Sequence, residues 1–320
     1  MIPTTRSAAL RVFWALSTLF ALLPEMNAGA QQPTPLNQPP SSVDWHLVEQ
    51  ALGRAGQMQP GDVIKFGFPR RDLHVLVGGV LLRPSFALGS WVAFKETNQG
   101  HSMVMGDLVV TEAEVNRVIE RLQQGGVEQT ALHNHLLNES PRVMYMHIRA
   151  NGDAVVIARA IHSALALTGT PMDTASSGAK EPAFELDTAD LTRILGRSGR
   201  INGGVYQVSV ARAEPIMDDG DGNPPMAHEI PPSMGVATAI NFQPTGKNRA
   251  AITGDFVMTA NEVNPVIRAL RANGIQVTGL HSHMLTEQPR LFFMHFWAND
   301  DAASLARGLR AALDQINVKK

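Results

Sequence analysis

The sequence predicts an α+β fold built from two homologous domains, each a mainly antiparallel sheet with packed helices, the pair related by a pseudo-twofold. Three observations predict it. A long stretch of the chain recurs later with half its residues unchanged. Each copy orders its elements β-rich first and then α, β, β, α. A chain of 320 residues that is 44% hydrophobic and 18% charged is long enough for about two cores.

The repeat is the strongest of the three. Residues 106–159 align without a gap on residues 254–307 at a constant offset of 148, with 27 identities in 54 positions. Upstream, Pro84-Ser85 answers Pro232-Ser233 and Phe94 answers Phe242. Leu52-Gly53-Arg54 answers Leu195-Gly196-Arg197 at a shorter offset, which places an insertion at residues 218–232. A unit this long is a duplicated domain rather than a solenoid repeat. The expected organisation is a signal peptide at 1–30, a disordered linker at 31–42, a first repeat domain at 43–168, a Pro/Ser/Gly/Ala-rich linker at 169–185 and a second repeat domain at 186–320.

Within the first copy, residues 43–54 read as a short helix, and 63–68, 74–80, 91–95 and 103–110 read as strands. Thr111 is expected to cap a helix, with Glu114 three residues on completing a capping box. Val115, Val118, Ile119 and Leu122 give that helix its apolar stripe, and Gly125-Gly126 ends it. Thr259 and Glu262 repeat the box, and Pro265 beyond the first turn predicts a kink. Residues 127–135 and 143–148 read as strands around a connection containing Pro141, and 153–167 as a closing helix.

Composition excludes several functions. A net charge of −2 provides no basic field for phosphate backbones, so no nucleic-acid partner is expected. The absence of cysteine removes disulfides, thiol nucleophiles, Cys-based zinc sites and a lipid-bearing cysteine together. Arg6 and Arg11, an apolar run at 12–23 and Ala28-Gly29-Ala30 have the form of a secretory signal with its cleavage site. The expected location is therefore periplasmic or secreted. No later apolar run reaches about 18 residues, so no transmembrane segment is expected after cleavage.

Each copy carries one polar cluster that a core would not require. The first holds His133, His135, Glu139, Arg142 and His147; the second holds His281, His283, Glu287, Arg290 and His295. Six of the eleven histidines sit here. Alternation along a strand puts His133 and His135 on one face. If Leu137 faces Val143 across the hairpin, His133 lies opposite His147 and three imidazoles converge. Three imidazoles with Glu139 or Glu287 as an oxygen ligand suit a divalent transition metal: zinc first, with iron, manganese or copper as alternatives. Structural histidines at the interface between the repeats are the plainer reading. Ser282 is replaced by Asn134 in the other copy, which argues against Ser-His chemistry. Arg142 and Arg290 are candidates to pair with the neighbouring glutamates or to present a fork to a small anionic ligand. Asp107 and Asp255, each after glycine, read most simply as turn or cap residues, with a carboxylate supporting an imidazole as the alternative. The Asp219-Gly220-Asp221-Gly222-Asn223 run hints at calcium, but Pro224 and Ile230 break the EF-hand pattern and favour a turn-rich loop.

The G-D-x-V-x-T-x-x-E-V-N block, followed by L-H-x-H-x3-E-x-P-R and M-H, resembles the LppY/LpqO family of exported bacterial proteins over both copies. The resemblance rests on Asp107, Thr111, Glu114, Asn116, His133, His135, Pro141, Arg142 and His147. It implies an envelope location and a tandem domain without a secure activity. Three functions stay open at this point. They are a two-domain metal-binding protein, a metal-dependent enzyme acting on an envelope component or small anionic substrate, and a non-catalytic envelope module of the peptidoglycan-binding type.

Overall fold

Alternating apolar residues build the strands, and the same alternation decides which face of each sheet takes helices. The computed structural model describes residues 42–97, 100–172, 184–218 and 227–319. The expected signal peptide, nearly all of the linker after it and the Asp219–Asn223 run lie outside the described residues.

The first repeat comprises α1 (Trp45–Leu52), β1 (Gln57–Gln59), β2 (Val63–Pro69), a small hairpin of β3 (Leu76–Val77) and β4 (Val80–Leu81), and α2 (Pro84–Ala87). It continues with β5 (Gly89–Glu96), β6 (His101–Thr111), α3 (Val115–Gln124), β7 (Glu128–His133), β8 (Val143–Asp153) and α4 (Ala154–Leu165). The second comprises α5 (Thr188–Leu195), β9 (Arg200–Asn202), β10 (Val205–Ala211), β11 (Met217–Asp218), β12 (His228–Glu229), β13 (Ala237–Gly246) and β14 (Arg249–Met258). It ends with α6 (Ala260–Ala272), β15 (Gln276–His281), β16 (Glu287–Gln288), β17 (Phe292–Asp301) and α7 (Ala302–Leu313). Each repeat forms a six-stranded antiparallel sheet, ordered β1-β2-β5-β6-β8-β7 in one and β9-β10-β13-β14-β17-β15 in the other. At the insertion, β11 pairs with β12 on one side and with β16 on the other, forming a separate three-stranded sheet.

On β6, Val104, Leu108 and Val110 point into a core shared with Ile157, Ala158 and Ile161 of α4. The intervening Met103 and Met105 enter a different cluster, with Met234, Val257, Met284 and Phe293 of the second repeat. Val109 and Tyr145 likewise meet Val205, Ala251 and Trp297 across the repeats. Helices thus cover one face of each sheet, and the uncovered faces pack on each other, giving four layers in the order helices, sheet, sheet, helices. Ser41–Lys320 is one compact unit.

The turns leading into α3 and α6 explain a recurring sequence feature. The Thr259 and Glu262 box forms in full. In the first repeat the Thr111 N–H donates to Glu114 Oε2 at 2.8 Å, but Thr111 is the last residue of β6 and the helix starts only at Val115. Glu114 is held instead by Arg70, almost wholly buried, whose guanidinium donates to Glu114 at 2.9 and 3.2 Å, to Asp72 and to the Val109 carbonyl. Arg212 repeats the arrangement with Glu262, Glu214 and the Val257 carbonyl. The helix α6 runs continuously through Pro265. Residues 74–80, expected as a strand of the sheet, form only the small β3–β4 hairpin, because Gly78 and Gly79 both take positive φ and turn the chain back.

Candidate metal centre

The histidines come from a hairpin whose register differs from the expected one. His133 lies opposite Tyr145, and His147 opposite Ala131, with an irregularity between Gln129 and Ala131. This is a shift of two residues, so His133 and His147 still share a face. That face is the uncovered one, and the second repeat places its histidines on the equivalent face. Asn134 and Ser282 hold the bend that follows: the Asn134 amide donates to the Val143 carbonyl at 2.7 Å, and the Ser282 hydroxyl to the equivalent Leu291 carbonyl at 3.0 Å. His135 then lies flat on Tyr145, with ring centroids 3.3 Å apart, and His283 lies on Phe293 at 3.7 Å.

All six imidazoles meet between the sheets. Across the repeats the His133 and His281 rings lie tilted against each other at 3.7 Å and those of His135 and His295 at 3.9 Å, while His147 stacks on His283 at 3.6 Å. Exchanging the repeats maps the first pair on itself and the second on the third, so the pseudo-twofold passes between His133 and His281. The ligand-bearing nitrogens form two convergent groups, one of His133, His281, His283 and His295, the other of His133, His135 and His147. Within each group the nitrogens lie within 4.8 Å of one another.

The centre is buried and short of hydrogen-bond partners. Buried and unpartnered among the described residues are His133 Nδ1 and the Nε2 atoms of His135, His147, His281 and His283. The Gly254 carbonyl, 3.1 Å from His295 Nδ1, fixes that ring's proton on Nδ1 and leaves the Nε2 lone pair facing His133 Nε2 at 3.3 Å. Burial, reinforced by the neighbouring imidazoles, pushes His133, His135, His147 and His283 well below the ordinary histidine range. Burial lowers His281 as well and brings His295 to about 3. The rings are therefore neutral, the form that binds metals.

Asp107 and Asp255 complete the centre. They sit in the middle of β6 and β14, not in turns, and face the histidines. Asp107 Oδ1 is 3.9 Å from His147 Nε2; Asp255 Oδ2 is 3.6 Å from His283 Nε2, and its Oδ1 is 3.6 Å from His295 Nδ1. These distances exceed hydrogen-bond length, and both Oδ1 atoms are buried without a partner. Burial raises the Asp107 carboxyl to about 7, and burial with the charge of Asp107 raises Asp255 well above the ordinary carboxylate range. The preceding glycines are needed for close packing: a Cβ on Gly254 would lie 1.9 Å from the Ala239 carbonyl oxygen, and one on Gly106 would lie 2.8 Å from the Trp91 carbonyl oxygen.

The remaining sequence-selected residues stand apart from the convergent nitrogens. Glu139 Oε1 accepts from the Val143 N–H at 3.1 Å and from Asn134, while its Oε2 is buried and unpartnered; burial raises this carboxyl to about 7. Glu287 Oε1 accepts from the equivalent Leu291 N–H at 2.8 Å, and its Oε2 accepts from Arg290. Both glutamates clasp their hairpin. Arg142 is exposed, 3.8 Å from Glu112, and Arg290 donates to the carbonyls of Met284 and Leu285 in its own loop. Sequence reasoning missed Tyr145 and Phe293 as the platforms under the histidines, although an aromatic recurs at that position in both copies. A cavity of about 10 Å³, room for about one water-sized molecule, adjoins His147 and His283 and is walled by Trp91, Met105, Thr130 and Met234.

A family model described as Domain of Unknown Function (DUF1259) matches residues 46–167 and again 189–315. No curated protein matches the chain. Among solved structures, a double-ringed trimeric shell protein of the RMM microcompartment aligns over 68% of this chain and 84% of its own, at 13% identity and a TM-score of 0.19. The trimeric microcompartment shell protein PduB aligns over 79% of this chain and 88% of its own, at 15% identity and a TM-score of 0.18. Scores this low carry no argument about fold or assembly.

Proposed function

The chain belongs to the family described as Domain of Unknown Function (DUF1259), and from that premise we propose that it binds a divalent transition metal at the junction of its two repeats. The observation that carries the reading is the set of five buried, unpartnered imidazole nitrogens, three from one repeat and two from the other. Each such atom costs about 1–3 kcal/mol if it stays unpaired. A purely structural role for the histidines leaves that cost standing, whereas a shared cation removes it. The His133 and His295 Nε2 atoms, 3.3 Å apart, match the spacing of about 3.4 Å that two ligands 2.1 Å from one tetrahedral ion must have.

The nitrogen-rich donor set favours zinc or copper over magnesium and calcium. The water-sized cavity beside the centre supports a small ligand and gives a carbohydrate or peptide no room at the metal. The proposal includes export to the envelope or beyond it, from the signal-like residues 1–30 and the LppY/LpqO resemblance; N-terminal sequencing of the mature protein checks the cleavage after Ala30. Elemental analysis of protein purified without chelators tests the central claim. Stoichiometric zinc or copper in the wild type, falling in His147→Ala and His283→Ala, supports it. Metal-free wild type that also takes up no added ion would refute it.

A further inference from the structure

We propose that the centre holds two metal ions, bridged by His133 acting as an imidazolate through both of its ring nitrogens. This rests on the metal-binding reading and goes further in three respects.

First, one ion cannot take all six imidazoles as they stand. Ligands 2.1 Å from a common ion are at most about 4.2 Å apart. Even at 4.8 Å the six histidines do not form one group; they separate into a group of four and a group of three, with only His133 in both. A single tetrahedral ion in the first group would leave His135 Nε2 and His147 Nε2 buried and unpaired.

Second, His133 has a ring nitrogen to give each group. Nε2 lies 3.3 Å from His295 Nε2, within the second repeat's set. Nδ1 is buried with no partner, and the proposal assigns it to the ion held with His135 and His147. Binding both ions through one ring requires loss of its remaining proton to solvent, so the second ion enters with release of one proton from His133.

Third, the two positions differ in saturation. His133, His281, His283 and His295 supply four nitrogens, enough to saturate a four-coordinate ion. His133, His135 and His147 supply three and keep a position for an exogenous ligand, as catalytic sites do. The water-sized cavity lies between His147 of that set and His283 of the other, so only the three-nitrogen set has both a vacant coordination position and adjoining space. The ligand it admits is water, hydroxide or a comparably small anion.

Titration of the full chain with Cu(II), followed by metal analysis and electron paramagnetic resonance, tests the proposal. The expected result is two equivalents bound, with integrated spin well below two per chain because bridged Cu(II) ions couple. His133→Ala is expected to bind one equivalent with its full spin, and His135→Ala to do the same with the four-nitrogen set intact. Circular dichroism confirms that each variant is folded; should His133→Ala unfold, His133→Gln replaces it. One equivalent in the wild type overturns the two-ion centre while leaving metal binding in place. Two equivalents with full, uncoupled spin overturn the bridge. No copper bound at all overturns the underlying reading as well.

Discussion

His147 of the first repeat and His283 of the second stack with ring centroids 3.6 Å apart and planes 22° from parallel. Both Nε2 atoms are buried and unpartnered. Two neutral rings with unsatisfied nitrogens are a poor interior pair unless an ion uses those nitrogens. Replacing one by leucine removes a buried polar atom and keeps the packing volume. His147→Leu is therefore expected to leave the metal-free protein as stable as the wild type, or more stable by about 1 kcal/mol. The same change should remove the part of the metal stabilisation that comes from the three-nitrogen set and leave that of the four-nitrogen set. Paired melting curves with and without zinc check both halves of the expectation.

Because the nitrogens come from both repeats, a bound ion acts as a cross-link between the two sheets. Metal at about 100 times its dissociation constant stabilises the folded chain by about 2.7 kcal/mol. For a unit of this size that corresponds to a melting temperature higher by roughly 5 °C. Removing the metal with a chelator should lower the melting temperature by that amount, and restoring zinc should recover it. An unchanged transition after verified metal removal would separate the histidines from the stability of the interface.

Gly254 positions the centre through its backbone. Its carbonyl accepts from His295 Nδ1, and the strand β13 passes so close that a Cβ would meet the Ala239 carbonyl oxygen at 1.9 Å. Gly254→Ala must push β13 and β14 apart. The expected destabilisation is at the upper end of the roughly 1–3 kcal/mol typical of overpacking, with weaker metal binding because His295 moves. Gly67→Ala, where a Cβ meets nothing within 4 Å, serves as the control and should show neither effect. Urea unfolding and zinc titration of both variants supply the comparison.

The identities at a fixed offset made the duplication legible, and strand alternation made the clustering of His133, His135 and His147 on one face legible. The register survived as a prediction of face though not of partner, since a two-residue shift conserves the side on which a residue points. The meeting of the two trios was not legible, because sequence periodicity within one sheet says nothing about which face the other sheet covers. For Asp107 and Asp255 the glycine before each points first to a turn and only second to a carboxylate supporting an imidazole. In the fold that glycine admits a neighbouring strand, and the aspartate stands in mid-sheet. Arg70 and Arg212 carried no readable signal: their carboxylate partners Glu114 and Glu262 lie 44 and 50 residues away.

The Arg70–Glu114 pair adds to the acid sensitivity of stability, beside the buried neutral histidines, which must take up protons on unfolding in acid. Burial alone would raise the Glu114 carboxyl, but hydrogen bonds from Arg70 and from the N–H groups of Thr111 and Gly169 outweigh it and hold the group below its ordinary value. A carboxylate whose pKa is lower folded than unfolded stabilises the protein above the unfolded value, about 4.3. That stabilisation is lost as pH falls through the folded value. Glu262 with Arg212 adds a second contribution of the same sign. Unfolding free energy should therefore decline as pH is lowered from about 5 toward 3. Glu114→Gln leaves the guanidinium of Arg70 with Asp72 as its one carboxylate partner. At pH 7 the variant should lose up to roughly 3–5 kcal/mol, the range for breaking a buried pair, and its stability should fall less steeply with acid than that of the wild type. Urea denaturation at a series of pH values measures both slopes, and equal slopes would show that Glu114 does not carry the acid sensitivity.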